Sequence, residues 1–160
     1  MATLFVMIGV SGSGKSTHAE KIYHELQVMG KNVAMISSDA IRGELCSGDQ
    51  TDQTKNKQVF EIAHQRIDEA LAAGVNVIWD ATNLSREERS KPIAIGRKNN
   101  ATLIAVQIDT PLTVAVERNR GRERQVPTPV IWKQHGRFYP ATKTEFDTIM
   151  KVGLNGTETY

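Results

Sequence analysis

The chain has 160 residues, of which 39% are hydrophobic and 24% charged, and its formal net charge is +2. This length suits one domain with a substantial core and is too short for two domains of ordinary size. No apolar run approaches the roughly 20 residues that span a membrane, no secretory signal precedes the first strand, and the lone cysteine fits a reducing compartment, so we expect a cytoplasmic protein without a membrane partner.

The first predicted elements are a buried strand over residues 3–8 and a helix over residues 15–29. Between them lies a complete G-x-x-x-x-G-K-[ST] phosphate-binding loop, Gly9-Val10-Ser11-Gly12-Ser13-Gly14-Lys15-Ser16, which Thr17 follows. Its glycines let successive backbone N–H groups face an anion, and the helix start adds further donors. We therefore expect ATP or another nucleoside triphosphate there, with Lys15 on the β- and γ-phosphates and Ser16 on Mg²⁺.

The middle of the chain is acidic and is predicted to supply two more strands. In order, we predict a strand over residues 33–36, a short helix with Ser38 or Asp39 as N-cap, a polar loop over 47–52, a long helix that ends at Gly74, and a strand over 75–79 that ends at Asp80. Residues 39–88 hold ten acidic and five basic side chains.

The rest of the chain is basic and continues the alternation of helix and strand. In order, we predict a helix over 86–99 opened by an S-x-x-E capping box, a strand over 103–108, a helix opened by Thr110-Pro111, a charged break at 118–124, a helix after Pro127, a short strand over 146–152 and a tail over 153–160. Residues 118–143 hold seven basic side chains and one acidic, which suits phosphate or nucleic-acid ligands.

This alternation predicts an α/β domain over residues 1–152, with a parallel sheet of four to five strands and helices on both faces. In such folds ligands bind beyond the carboxyl ends of the strands. Asp39 and Asp80 follow two strand ends, so we expect both to face the crevice that the phosphate-binding loop borders.

The aspartate that follows the second strand is the strongest candidate for catalysis. Asp39 and Arg42 share a helix face at i, i+3, where the carboxylate could accept a proton from an attacking hydroxyl and the guanidinium could bind a substrate phosphate or orient Asp39. The structural alternative makes Asp39 an N-cap and Arg42 half of a surface ion pair. Asp80 is a candidate for the Mg²⁺ shell or for an acceptor contact, and Thr82 and Asn83 are weaker binding candidates.

Four arginines alternate in the charged break: Arg118, Arg120, Arg122 and Arg124. An arginine on a mobile segment can stabilise the charge that develops on a transferred phosphoryl group. Arg118 and Arg122 share a helix face, and Gly121 between them suggests a hinge. For this pair we therefore favour a role in binding phosphate over the alternative, in which the arginines only form a solvated, charged helix end.

The sequence resembles the 5′-hydroxyl polynucleotide kinases of phages and bacteria, a branch of the P-loop kinases. The resemblance rests on the loop at residues 9–17, on Ser38-Asp39-Ala40-Ile41-Arg42, on Asp80-Ala81-Thr82-Asn83-Leu84, and on Arg118-Asn119-Arg120-Gly121-Arg122 with Val126-Pro127 behind it. No D-x-D-G-T phosphatase motif follows, so a 3′-end repair activity is not expected.

The resemblance implies a sheet in the order 2-3-1-4-5 and an arginine-bearing lid. It also implies that Asp39 is the general base on a DNA or RNA 5′-hydroxyl, that Arg42 contacts the acceptor 3′-phosphate, and that Arg118 and Arg122 contact the donor phosphates. Two other functions stay open: a P-loop kinase of a small molecule or nucleoside, and a nucleotide-binding switch without an acceptor.

Overall fold

The computed structural model describes residues 1–50, 52–123 and 125–160. Its elements in chain order are β1 (Thr3–Ile8), α1 (Lys15–Val28), β2 (Val33–Ser37), α2 (Ser38–Leu45), α3 (Asn56–Ala72), β3 (Asn76–Asp80), α4 (Arg86–Lys98), β4 (Thr102–Ile108), α5 (Leu112–Arg120), α6 (Thr128–Arg137), β5 (Thr148–Gly153) and β6 (Gly156–Thr159). No helix in these ranges is both long and apolar enough to cross a membrane.

All the strands belong to one sheet, in the order β2-β3-β1-β4-β5-β6. Neighbouring strands run parallel except β5 and β6, which are antiparallel. The α/β prediction and the order of the first five strands are therefore confirmed. With β1 in the middle of a parallel sheet, the loop that follows it opens at the edge where β2, β3 and β4 also end.

The prediction of a tail over residues 153–160 misses the sixth strand. Met150 pairs with Thr159 and Val152 with Thr157, which extends the sheet by one antiparallel strand. Every residue of β6 is exposed, and an exposed strand needs no apolar side chains. Its sequence, Gly-Thr-Glu-Thr, therefore lacks the alternation of apolar and polar residues by which half-buried strands are recognised.

The N-caps of two helices differ from those predicted. Ser37, rather than Ser38 or Asp39, caps α2: its hydroxyl accepts a hydrogen bond from the Ala40 backbone N–H at 3.3 Å. Asp39 therefore lies inside the first turn, and the alternative that made it the cap is wrong. At α5 the N-cap position is Pro111, not Thr110, whose hydroxyl donates instead to the Ser13 carbonyl at 2.7 Å.

Side chains of the central strands alternate between two apolar layers, as the pleat of a β-strand dictates. Leu4 and Val6 face the layer that α3 covers, together with Val59, Ala63 and Ile67. Met7 faces the opposite layer, which α1 covers with Ala19 and Ile22. A third, smaller cluster holds α5 and α6 against the strand ends. Helices thus pack on both faces of the sheet and hold the carboxyl ends of its strands in place.

A fully buried arginine fastens α4 to the loops around it. Arg89 makes a bidentate ion pair with Glu145 at 2.9 and 3.0 Å, and the same guanidinium donates to the carbonyls of Asn83, Leu84 and Tyr139. Charge-assisted, bidentate contacts of this kind are the strongest hydrogen bonds that proteins form. This pair joins the segment after β3 to the segment before β5.

The Arg89–Glu145 pair predicts a loss of stability in acid. Burial, the largest single effect on the Glu145 carboxyl, raises its pKa, but the hydrogen bond and charge of Arg89 together with Thr142 outweigh burial and hold the pKa below its ordinary 4.5. A carboxyl with a lowered folded pKa stabilises the protein above its unfolded pKa, and this contribution is lost as the pH falls through the folded value. We expect the free energy of unfolding, measured by urea titration, to drop as the pH falls below about 5.

Glu145→Gln should flatten that acid dependence, since glutamine does not titrate. Glu44→Gln is the matched control, because Glu44 also pairs with an arginine, Arg66, but its side chain is 56% exposed and solvent screens the pair. Equal slopes for wild type and Glu145→Gln would contradict the prediction.

Candidate active site

The phosphate-binding loop has a backbone that only glycine tolerates at two positions. Gly12 has φ +81°, and a Cβ there would lie 2.4 Å from the Ala115 carbonyl oxygen. Gly14 has φ +95° and precedes the first residue of α1. Gly9, by contrast, lies at the end of β1, where its N–H bonds the Thr82 carbonyl, and it lines no part of the clefts described below.

Lys15, Ser16 and Asp80 meet where the loop enters α1. The Ser16 hydroxyl donates to Asp80 Oδ2 at 2.9 Å, and Lys15 Nζ lies 3.4 Å from Asp80 Oδ1. Asp80 is 8% exposed, and its Oδ1 has no hydrogen-bond partner among the described residues. A buried carboxylate oxygen beside a serine hydroxyl suits Mg²⁺, which takes oxygen ligands and relies on few protein groups. The described ranges hold no cluster of three His, Cys, Asp or Glu side chains that could hold a metal ion.

Asp39 and Arg42 form the ion pair that their spacing predicted, but Arg42 is buried rather than on the surface. Arg42 Nη1 donates to Asp39 Oδ1 at 2.7 Å, and Nε and Nη2 donate to Asn56 Oδ1 at 3.2 and 2.8 Å. Arg42 is 5% exposed, whereas 45% of the Asp39 side chain is exposed. Asn56 thus holds the guanidinium from α3, and the guanidinium in turn orients a solvent-facing carboxylate.

The four arginines of the charged segment have different surroundings. Arg118 donates to the Ser13 carbonyl at 3.2 Å, and both Arg118 and Arg122 border the loop. Arg120 pairs instead with Glu117, one helical turn away, and is exposed. Arg124 lies outside the described residues. Arg118 and Arg122 therefore lie beside the loop, and Arg120 does not line either cleft described below.

Thr82 and Asn83 both border the cleft next to Asp80. The Asn83 amide is engaged at both ends: Oδ1 accepts from Trp79 Nε1 at 2.9 Å, and Nδ2 donates to the Met7 carbonyl at 2.8 Å. Asn83 also has φ +48°, a conformation that asparagine adopts more readily than most residues. Asn83 therefore holds the segment after β3 in place.

Two clefts meet at the loop. One, of about 640 Å³, is bordered by loop residues 11–17 and by Thr110, Arg118, Arg122 and Leu154. The other, of about 760 Å³, is bordered by Arg42, Asn56, Asp80 and residues of α4 and α6. We call them the donor cleft and the acceptor cleft. Ser11, Lys15, Asp39 and Val126 border both, so the exposed carboxylate of Asp39 lies where a bound phosphate chain and a second ligand would meet.

The structure adds two residues that the sequence did not single out. Asn56 fixes Arg42, as described above. Gln134, on α6, accepts a hydrogen bond from the Ser11 backbone N–H at 2.8 Å and borders the acceptor cleft. Sequence separations of 14 and 123 residues hide both contacts, and no motif surrounds either residue.

Comparison with known proteins identifies the family. A family model described as an AAA domain matches residues 4–141. A protein of Autographa californica nuclear polyhedrosis virus, provisionally named a bifunctional polynucleotide kinase/RNA ligase, is 28% identical over 158 residues, covering 89% of this chain and 22% of that protein. The adenylyl-sulfate kinase of Deinococcus deserti is 34% identical over 113 residues, covering 69% of this chain and 59% of that protein. The chain thus spans less than two thirds of either relative.

Solved structures with the same fold include kinases and a chain of an RNA repair complex. A sugar kinase from a Janibacter species has a TM-score of 0.67 at 22% identity, covering 97% of this chain and 87% of that one. A chain of the Pnkp1/Rnl/Hen1 RNA repair complex has a TM-score of 0.72 at 22% identity, covering 85% of this chain and 43% of its own. The chain therefore belongs to the AAA domain family and has the α/β fold of the P-loop kinases.

Proposed function

We propose that this protein is a cytoplasmic, ATP-dependent polynucleotide kinase that transfers the γ-phosphate of ATP to the 5′-hydroxyl of DNA or RNA. The observation that carries the proposal is the position of Asp39. Its exposed carboxylate borders both clefts and is held by a buried arginine that Asn56 fixes in turn. A nucleotide switch without an acceptor has no use for an oriented carboxylate facing a second cleft.

The proposed reaction is an in-line displacement. The 5′-hydroxyl oxygen of the acceptor attacks the γ-phosphorus of ATP, a new P–O bond forms, and the bond between that phosphorus and the β–γ bridging oxygen breaks. The hydroxyl proton passes to the Asp39 carboxylate, and ADP leaves. Arg118 and Arg122, which border the donor cleft, stabilise the charge on the transferring group.

The donor phosphates are proposed to lie on the loop N–H groups and Lys15. Mg²⁺, which Ser16 and Asp80 would hold, neutralises phosphate charge when it is bound. Asp80 already aligns both neighbours: it accepts from the Ser16 hydroxyl and pairs with Lys15. Arg42 and Thr82, both at the acceptor cleft, are proposed to bind the phosphate that follows the terminal nucleoside.

The relatives support two kinds of acceptor. The viral protein and the RNA repair complex support a polynucleotide. The adenylyl-sulfate kinase and the sugar kinase favour the second candidate, a kinase of a small molecule. The acceptor cleft is lined by four cations, Lys15, Arg42, Lys91 and Arg137, and by four carboxylates, Asp39, Asp80, Glu87 and Glu88. Three of the cations pair with carboxylates of the same lining, so the overall charge of the cleft favours neither acceptor.

A transfer assay separates the candidates. Labelled phosphate from γ-labelled ATP should reach 5′-hydroxyl DNA or RNA oligonucleotides, and oligonucleotides that already carry a 5′-phosphate are the matched control. Adenylyl sulfate, gluconate and nucleosides are assayed in parallel. Transfer to one of these and to no oligonucleotide would replace the proposed function by the second candidate, and slow ATP hydrolysis with no acceptor would favour the switch.

Acceptor binding should weaken modestly as salt is added. Phosphate contacts release counterions, and only one to three phosphates fit beside the strand ends, so the slope of log K against log salt should be about −1 to −2 for a single strand. Fluorescence anisotropy of a labelled oligonucleotide measures this slope. A salt-independent affinity would indicate that phosphates do not contribute to acceptor binding.

A further inference from the structure

One wall of the acceptor cleft carries aromatic side chains that the phosphoryl transfer does not use. Asn56, Phe60 and His64 stand four residues apart on α3, so they lie on one helix face, and all three border the cleft. Successive members are about 6 Å apart along the helix axis. We call this row the α3 ridge.

The ridge has a rigid base. Phe60 and His64 are half-buried, and both meet the fully buried Trp79 ring edge-on, with centroids 6.0 and 6.3 Å away. Trp79 is in turn fixed by its hydrogen bond to Asn83. Aromatic rings that are held from behind and open in front lose little entropy when another ring stacks on them.

The charges along the ridge also suit a nucleotide. Burial lowers the pKa of His64, and the nearby Lys91 ammonium lowers it further, so the imidazole is an uncharged ring at neutral pH. Lys91 is exposed on α4 and borders the same cleft, where it offers a cation to a phosphate. A neutral aromatic surface with a cation beside it is the pattern on which proteins stack bases of single-stranded nucleic acid.

The position of the ridge determines which base it would meet. Asn56 holds Arg42, which holds Asp39, so the reactive hydroxyl and its nucleoside belong at the Asn56 end. Phe60 and His64 lie one and two helical turns further on. We propose that the α3 ridge is a stacking subsite for the base of the acceptor's second nucleotide, with Lys91 on the adjacent backbone phosphate. This inference rests on the proposed function and adds to it a preference for acceptors longer than one nucleotide.

The wild-type protein provides the first test. Single-stranded 5′-hydroxyl tetranucleotides are compared intact, abasic at the second nucleotide, and abasic at the fourth. Removal of the base at the second position should lower kcat/KM roughly 5- to 150-fold, mainly by raising KM. This range corresponds to the contribution of one base stacked on an aromatic ring. The fourth-position gap should have little effect. Equal kcat/KM values for all three would overturn the inference.

A substitution then identifies the ring. Phe60→Leu keeps apolar volume against Trp79 but removes the stacking surface, so it should raise KM for the intact tetranucleotide and add no further loss for the one abasic at the second position. Phe60→Tyr should retain the wild-type KM. Trp132→Leu is the matched control, because Trp132 is 62% exposed and lies outside the acceptor cleft.

The outcomes separate this inference from the proposed function. If Phe60→Leu raised KM equally for the intact tetranucleotide and for the one that is abasic at the second position, Phe60 would have only a structural role. The inference would then be overturned, but the proposed kinase function would stand. If the protein phosphorylated adenylyl sulfate and Phe60→Leu impaired that reaction, the ridge would bind the base of a single nucleotide. That result would also overturn the inference. The absence of transfer to any oligonucleotide would instead refute the proposed function.

Discussion

Replacement of Asp39 by asparagine is expected to lower kcat for phosphoryl transfer by roughly 10²- to 10⁴-fold, the usual contribution of a positioned general base. Asparagine retains an oxygen that can accept the hydrogen bond from Arg42, so the guanidinium keeps its partner. What is lost is the ability to take the proton of the attacking hydroxyl. ATP affinity should change little, because the loop N–H groups and Lys15 are intact.

Steady-state kinetics, ATP binding by calorimetry and a melting curve on Asp39→Asn provide the measurement. Ser37→Ala is the matched control: it removes the true cap of α2, at a cost of about 1 kcal/mol of stability, and should leave kcat near the wild-type value. If Asp39→Asn retained wild-type kcat, Asp39 would not be the base. If both variants lost kcat together, the integrity of α2 would explain the effect.

Replacement of Arg89 by methionine should lower the free energy of unfolding by about 3–5 kcal/mol, the range for breaking a buried ion pair by removing one partner. Methionine occupies similar space but donates no hydrogen bond. It leaves the Glu145 carboxylate, whose side chain is 12% exposed, without its cation. It also removes the Arg89 hydrogen bond from the carbonyls of Asn83, Tyr139 and Leu84, of which Leu84 keeps the Tyr139 backbone N–H. Denaturant titration at neutral pH measures the loss.

Arg97→Met is the matched control for Arg89→Met. Arg97 is also on α4, two turns further along, and donates to the carbonyls of Thr144 and Glu145, but it is exposed. Its loss should cost below about 1 kcal/mol. Similar losses for the two variants would show that burial of Arg89 adds nothing to its contribution.

The fold could be predicted because its signals are local. The loop Gly9–Ser16 has a recognisable spacing, the apolar runs before it and before Asp80 are short and continuous, and Gly30 and Gly74 stand where helices end. The alternation of these elements predicts that the sheet is parallel, whereas the order of its strands is what the family resemblance implies. The ion pair of Asp39 with Arg42 was also within reach, because residues at i, i+3 on a helix are neighbours.

The remaining part of the site depends on contacts between distant segments. Asn56 and Gln134 reach their partners only after α3 and α6 pack, and nothing in the neighbouring residues sets them apart. Arg89 would be assigned to the surface from its charged surroundings, Arg86-Glu87-Glu88, yet it is fully buried. Arginine is buried where several acceptors converge on it, and such convergence is a property of the tertiary structure.

The antiparallel strand β6 has a practical meaning for anyone who shortens this chain. A cut after Val152, at the boundary that the sequence suggested, would expose the backbone N–H and C=O groups of β5 along an open sheet edge. Such edges recruit strands from other molecules and promote aggregation. With residues 153–160 present, the outermost strand is short, entirely exposed and carries Glu158, and the backbone of Tyr160 exchanges two hydrogen bonds with Ile149 just beyond that strand. Residues 156–160 therefore cover the edge of β5 and protect it from pairing with strands of other molecules.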